Sequence, residues 1–261
     1  MRWHVSKYLL FLFLALPFEQ SCYAKTAAPP DVAQDETYAK DYAAAKKLQQ
    51  ALMHNDKRAV ADLIQYPLVR DQPLSPIKNS KDFLKHWGEY FDAANIARIS
   101  TSKAEQYGWR GIAMSNGEVW FKDGRISAFN VQTTASKTAL AAAMTVENRG
   151  LYKSAQGYDK IVFRCKTKNL SIRVQQNADS YNYFAWKKSA ALTTKPELEI
   201  IGGKYLPQGT GSNFDMEFQN NDYKYTVSVG HNLCGEDCKD YLEVFKGDTQ
   251  LSRDVCAEIT Q

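Results

Sequence analysis

With 261 residues, 44% of them apolar and 24% charged, the chain has the make-up of a folded globular protein, which excludes extended disorder and allows two modest domains. The net charge is +4, falling to about +3 without the first 24 residues, and no run of Lys and Arg exceeds two. No basic stripe interleaves with aromatics either, so a nucleic-acid partner is not expected.

Taken in chain order, Arg2 and Lys7 precede the apolar run Tyr8 to Phe18, the length of a signal-peptide core and short of the ~20 apolar residues that span a bilayer. Cys22 and Ala24 place small residues at the minus-three and minus-one positions for cleavage after Ala24. Residues 1–24 are therefore expected to be a signal peptide that delivers the chain to the periplasm or beyond, with no transmembrane segment. Lipidation at Cys22 is the competing use, although Glu19, Gln20 and Ser21 stand where a lipoprotein signal has apolar and small residues. Residues 25–35, small, polar and proline-bearing, read as a flexible leader.

Tyr38, Tyr42, Ala45, Leu48 and Leu52 recur at steps of three and four, which predicts an amphipathic helix to about His54. Asp56 can cap a second helix carrying Val60, Leu63 and Ile64, and Pro67 ends it. A strand of four or five residues and a loop are expected over 67–78. Ser80 then caps a third helix with Phe83, Leu84, Trp87, Tyr90 and Phe91 on one face and Lys81, Asp82, Lys85 and Glu89 opposite. A short fourth helix follows over 93–99. From Tyr107 to Asn130 three apolar runs are punctuated by Asn116-Gly117 and Asp123-Gly124, dipeptides that supply the positive φ of tight hairpins, so a β-meander is predicted.

The segments NDKRAVADLIQYPL, IKNSKDFLKHWGEYF, GWRGIAMSNGEVWF and GRISAFN resemble the nuclear-transport-factor-2-like (cystatin-like) fold, specifically its secreted bacterial members of unassigned role. The resemblance covers about residues 38–132. It implies an α+β domain over 36–133 in which N-terminal helices pack on a curved antiparallel sheet, and it implies no particular activity, because that fold hosts isomerases, dehydratases, pocket-binding proteins and interaction modules.

Residues 134–157 lose both periodicities and read as a linker, with a helical turn or two in the Ala-rich 139–146 ended by Asn148-Arg149-Gly150. From 158 to 261 seven short β-branched or aromatic runs follow, from Ile161–Phe163 to Tyr241–Phe245, with hairpin tips at Asn221-Asp222 and Lys246-Gly247-Asp248. They predict an all-β sandwich or barrel. Through IVFRC and a Cys near its end this half resembles disulfide-clasped β-domains of bacterial envelope proteins, and more faintly the C-type lysozyme inhibitors. The inhibitors' Ser-Gly signature loop is absent, with Gly202-Gly203-Lys204-Tyr205 in its place, so inhibition is not carried over.

Cleavage would leave four cysteines, Cys165, Cys234, Cys238 and Cys256, an even number suited to two disulfides in an oxidising compartment. Three pairings are possible; the expected one is Cys165–Cys256 and Cys234–Cys238. Zinc is the alternative, but its CxxC spacing is missing, and neither a metal nor a cofactor is expected.

Strand parity in GEVWFK sends Val119 and Phe121 to one face and Glu118, Trp120 and Lys122 to the other, while Ile112 and Met114 oppose Tyr107, Trp109 and Gly111. Trp109 and Trp120 with Glu118 would wall a ligand pocket if the sheet and helices enclose one; the plainer alternative has the two tryptophans covering the sheet's outer face or packing on the second domain. Of the histidines, His54 sits at a helix end, His86 borders the polar side of the third helix, and His231 lies in a loop. Spacing gives none a carboxylate partner, and no G-x-S-x-G, H-E-x-x-H or phosphate-loop motif occurs, so catalysis is not expected. Loop 205–213 and loop 231–240 are candidate recognition elements, the second placing His231, Glu236, Asp237 and Asp240 where a partner's basic cleft could accept them. The functional expectation is an exported, non-catalytic binding protein that recognises or inhibits an envelope or secreted protein such as a hydrolase or toxin; the alternative is a small-molecule pocket on the α+β domain.

Overall fold

The computed structural model describes residues 36–209, 213–230 and 239–258. The expected signal peptide and leader, together with 210–212, 231–238 and 259–261, lie outside the described residues. The fold is α+β, with a four-stranded antiparallel sheet and a closed eight-stranded antiparallel barrel.

Helix α1 (Ala39–Met53) buries Ala45, Leu48 and Leu52 of the expected stripe, with Ala44 and Ala51 beside them, while Tyr38 and Tyr42 are only partly buried. Helix α2 (Lys57–Asp62) begins where the Asp56 carboxylate accepts from the Ala59 amide at 2.9 Å. No strand forms over 67–78; a single antiparallel bridge joins Leu68 to Ile77, because Pro67, Pro73 and Pro76 cannot donate to a ladder. Helix α3 (Ser80–Lys85) is capped by Asn79, one residue earlier than expected, whose side chain accepts from the Asp82 amide at 3.0 Å. It breaks at His86 before α4 (Trp87–Tyr90), and α5 (Ala93–Thr101) opens on a reciprocal Asp92–Asn95 capping box.

Strands β1 (Ala104–Gln106), β2 (Ile112–Met114), β3 (Val119–Lys122) and β4 (Arg125–Phe129) pair in that order. The β3–β4 turn takes positive φ at Asp123 (54°) and Gly124 (77°), as the dipeptide implies. The Gly124 amide donates to Asp41 Oδ1 at 2.6 Å, fixing this turn to the first turn of α1. One buried apolar cluster gathers Leu48, Val60, Phe83, Ile99, Met114 and Phe121.

Where one or two helical turns were expected, residues Thr134–Arg149 form a 16-residue helix, α6. Its N-cap Thr133 accepts from the Ser136 amide at 3.0 Å and donates to Gly88 O at 2.9 Å, tying this end to α4. At the other end Glu147 meets the barrel. Its Oε1 accepts from Nη1 of both Arg164 and Arg173 at 3.0 Å, and its Oε2 accepts from the Tyr158 hydroxyl. Burial first, and that hydrogen bond second, push the Tyr158 phenol up to about 12, so it remains a donor.

The barrel is built from β5 (Lys160–Lys166), β6 (Leu170–Asn177), β7 (Ser180–Lys187), β8 (Leu198–Pro207), β9 (Phe214–Asn220), β10 (Tyr223–Val229), β11 (Asp240–Lys246) and β12 (Thr249–Glu258). It closes through β12 against β5. Inside, Phe163, Ile172, Tyr183, Met216, Phe218 and Val227 form the core; outside, Phe184 and Trp186 pack against Leu151, Ala155 and Tyr158. The expected Cys165–Cys256 disulfide is present, and Cys234–Cys238 lies outside the described residues.

Strand β8 runs well past the expected Ile201, through Gly202-Gly203, and Phe218 lies across the second glycine. A Cβ on Gly203 would fall 2.9 Å from Phe218 Cζ and nearer still to Cδ1 and Cε1. Gly203→Ala should therefore cost about 1–3 kcal/mol of stability by overpacking, read as a lowered urea midpoint with unchanged slope. An unchanged midpoint would show that the ring has room to move.

Candidate functional site

Each of the three residues expected to wall a ligand pocket has its own local setting. Trp109 lies in the short helical turn Gly108–Arg110 and is 61% exposed. Trp120 is half-buried, its indole Nε1 donates to Gly117 O at 2.8 Å, and its ring lies 5.4 Å from that of Tyr107. Glu118 uses both carboxylate oxygens locally, accepting from Arg98 Nη2 at 2.6 Å and Nε at 3.0 Å, and from Ser115 Oγ at 2.6 Å. Burial works to raise the Glu118 carboxyl, but the hydrogen bonds from Arg98 and Ser115 outweigh it and hold it below its ordinary value. Neither cavity considered below is lined by any of the three.

Of the candidate partner loop, His231, Glu236 and Asp237 lie outside the described residues. Asp240 begins β11, and its Oδ1 accepts from the Gly230 amide at 3.2 Å, which fastens the base of the loop.

The larger cavity, about 630 Å³, lies between the 70–79 segment and α3, with Ala143 of α6 at its border. That volume is within the range of small-molecule sites. Arg70, Lys78, Lys81, Lys85 and His86 line it, with Asp82 the one acidic residue among its lining residues. Pro73, Leu74, Pro76 and Ile77 supply apolar wall. The lysines are solvent-exposed, so their ammonium groups are hydrated and available to a ligand, whereas Arg70 is tied back by an ion pair to Glu89.

His86 corrects an expectation. Its Nδ1 lies 2.6 Å from Glu89 Oε1 and its Nε2 3.9 Å from Asp82 Oδ1, so both ring nitrogens face carboxylates. Because a carboxylate only accepts, the Nδ1 must carry a proton. The spacing was legible: Asp82 is four residues before His86 and Glu89 three after, positions that share a helix face. The imidazole, hydrogen-bonded through Nδ1 to Glu89, helps orient that carboxylate toward Arg70; no nucleophile is hydrogen-bonded to it among the described residues.

No protein-family model matches the chain, no curated protein matches it, and no solved structure matches it.

Proposed function

We propose that the chain is an exported, non-catalytic binding protein whose basic cleft between the 70–79 segment and α3 takes a small ligand carrying oxyanion groups. The observation that carries this is the lining: three exposed lysines and Arg70 around one ligand-sized cavity, with Arg70 held by Glu89 and Glu89 in turn by His86. Lysine ammonium groups act as adaptable point charges, and a guanidinium fixed by its own carboxylate contributes direction, the combination suited to phosphate or carboxylate groups. Helices α1–α5 with the four-stranded sheet are read as a nuclear-transport-factor-2-like roll, supported by the apolar cluster the two share. Export is supported by the Cys165–Cys256 disulfide, since such bonds persist in oxidising compartments. Among the described residues no helix is long and apolar enough to cross a membrane.

Calorimetric titration with citrate and glucose 6-phosphate tests the cleft. Saturable binding to at least one is expected, weakened tenfold or more in Lys78→Ala/Lys81→Ala/Lys85→Ala, a variant that leaves every buried contact in place. Equal affinity in that variant, or no binding of either probe, would overturn the assignment.

A further inference from the structure

A second, smaller cavity of about 140 Å³ opens on the outer face of the barrel. Strand parity brings Arg164 and Lys166 of β5 and Ser171 and Arg173 of β6 to that face. Arg164 stands directly opposite Arg173 in the ladder, and Lys166 opposite Ser171. Like charges paired across strands repel, and the carboxylate bridging them is Glu147, whose side chain is 18% exposed. With Lys188 at the rim, four cations line the cavity and no acidic residue does.

Arg173 is 2% exposed. Its Nε donates to Gln175 Oε1 at 2.7 Å, and its two Nη atoms meet the Glu147 oxygens at 3.0 and 3.4 Å. One face of the guanidinium lies over the Tyr158 ring, 4.4 Å from its centroid. A guanidinium has five N–H donors, so this buried group keeps donors beyond those three bonds. Trp186 and Leu192 close the cavity with apolar surface, and the indole Nε1 is committed to Thr194 O at 2.9 Å. Such walls strengthen a charge-assisted bond by lowering the local dielectric.

We infer that this cavity is a second ligand site, independent of the cleft on the helical half, which binds one oxyanion group between Arg173, Arg164, Lys166, Lys188 and Ser171. The volume admits a single phosphate, sulfate or carboxylate group and excludes a ring-bearing body, so only the anionic end of a larger molecule enters.

The test is a titration of the full chain with inorganic phosphate, sulfate and acetate, followed at the Trp186 indole N–H by NMR. A saturable shift is expected, weakened at least tenfold by Lys166→Glu/Lys188→Glu, two exposed positions whose reversal leaves the core intact. The shift should survive Lys78→Ala/Lys81→Ala/Lys85→Ala, which separates this site from the cleft. A response to phosphate and sulfate alone assigns a tetrahedral group; an equal response to acetate assigns a carboxylate end. No saturable shift at millimolar anion, or one abolished by the cleft variant and untouched by Lys166→Glu/Lys188→Glu, overturns the site.

Discussion

The Cys165→Ala/Cys256→Ala double variant is expected to lose about 4.6 kcal/mol of stability, the chain-entropy value for a cross-link across 91 residues. For a protein of this size that is a drop in Tm of roughly 9–18 °C. The full effect follows from the position of the bond. Among the described residues the ladder that closes the barrel holds two residue pairs, Ala257 with Lys166 and Glu258 with Cys165, against four to eight in each of the other seven. Hydrogen bonding contributes least at this seam, and the disulfide lies on it. Urea unfolding of the double variant beside the parent measures the loss, and avoids the reductant that would also reach Cys234 and Cys238. A change below about 1 kcal/mol would mean that the seam holds without its cross-link.

Glu147→Gln should cost about 3 kcal/mol, the low end of what removing one partner of a buried ion pair costs, since Glu147 keeps some solvent contact. The amide preserves shape and one acceptor oxygen, so the loss isolates the charge. Without it Arg164 and Arg173, which face each other across the strands, lose the carboxylate they share, the second almost fully buried. Burial already holds the Arg164 guanidinium below its ordinary value and Arg173 adds to that, while Glu147 and, less strongly, Tyr158 oppose it, so deleting Glu147 removes the larger opposing influence. Glu147→Gln/Arg164→Met should be less destabilised than the two single changes together, because removing one arginine relieves the repulsion. Denaturant midpoints of the four proteins give the coupling directly; strict additivity would refute the shared-carboxylate arrangement.

How much of this was legible from residue order depends on whether the signal is local. Asn116-Gly117 and Asp123-Gly124 announce the meander because a two-residue turn carries its own φ requirement. Strand β12 gave no such notice. Its apolar residues Leu251 and Val255 are 54% and 47% exposed, so alternation points the wrong way, and the strand exists because β11 and β5 lie on either side of it. Helix α6 is longer than its residues predict for a related reason: none of them is fully buried, so no apolar stripe marks its length. The cleft was half legible, since Asp82, His86 and Glu89 stand at helical spacing while the 70–79 segment reaches them only through the fold. Arg164 and Arg173 look like ordinary outward strand positions until α6 is laid over them.

Ring closure also decides what the barrel can do in a crowded solution. A strand with unpaired amides is a template on which another chain can add, and a complete ring presents none. The four-stranded sheet ends on one side in β1, only three residues long, and on the other in β4, where Ile64 already bridges Ile126. Opening the β5–β12 seam would bare strands of seven and ten residues at once. The sulfur bridge thus guards against self-association as well as unfolding, and a reduced population should form aggregates before it loses most of its secondary structure.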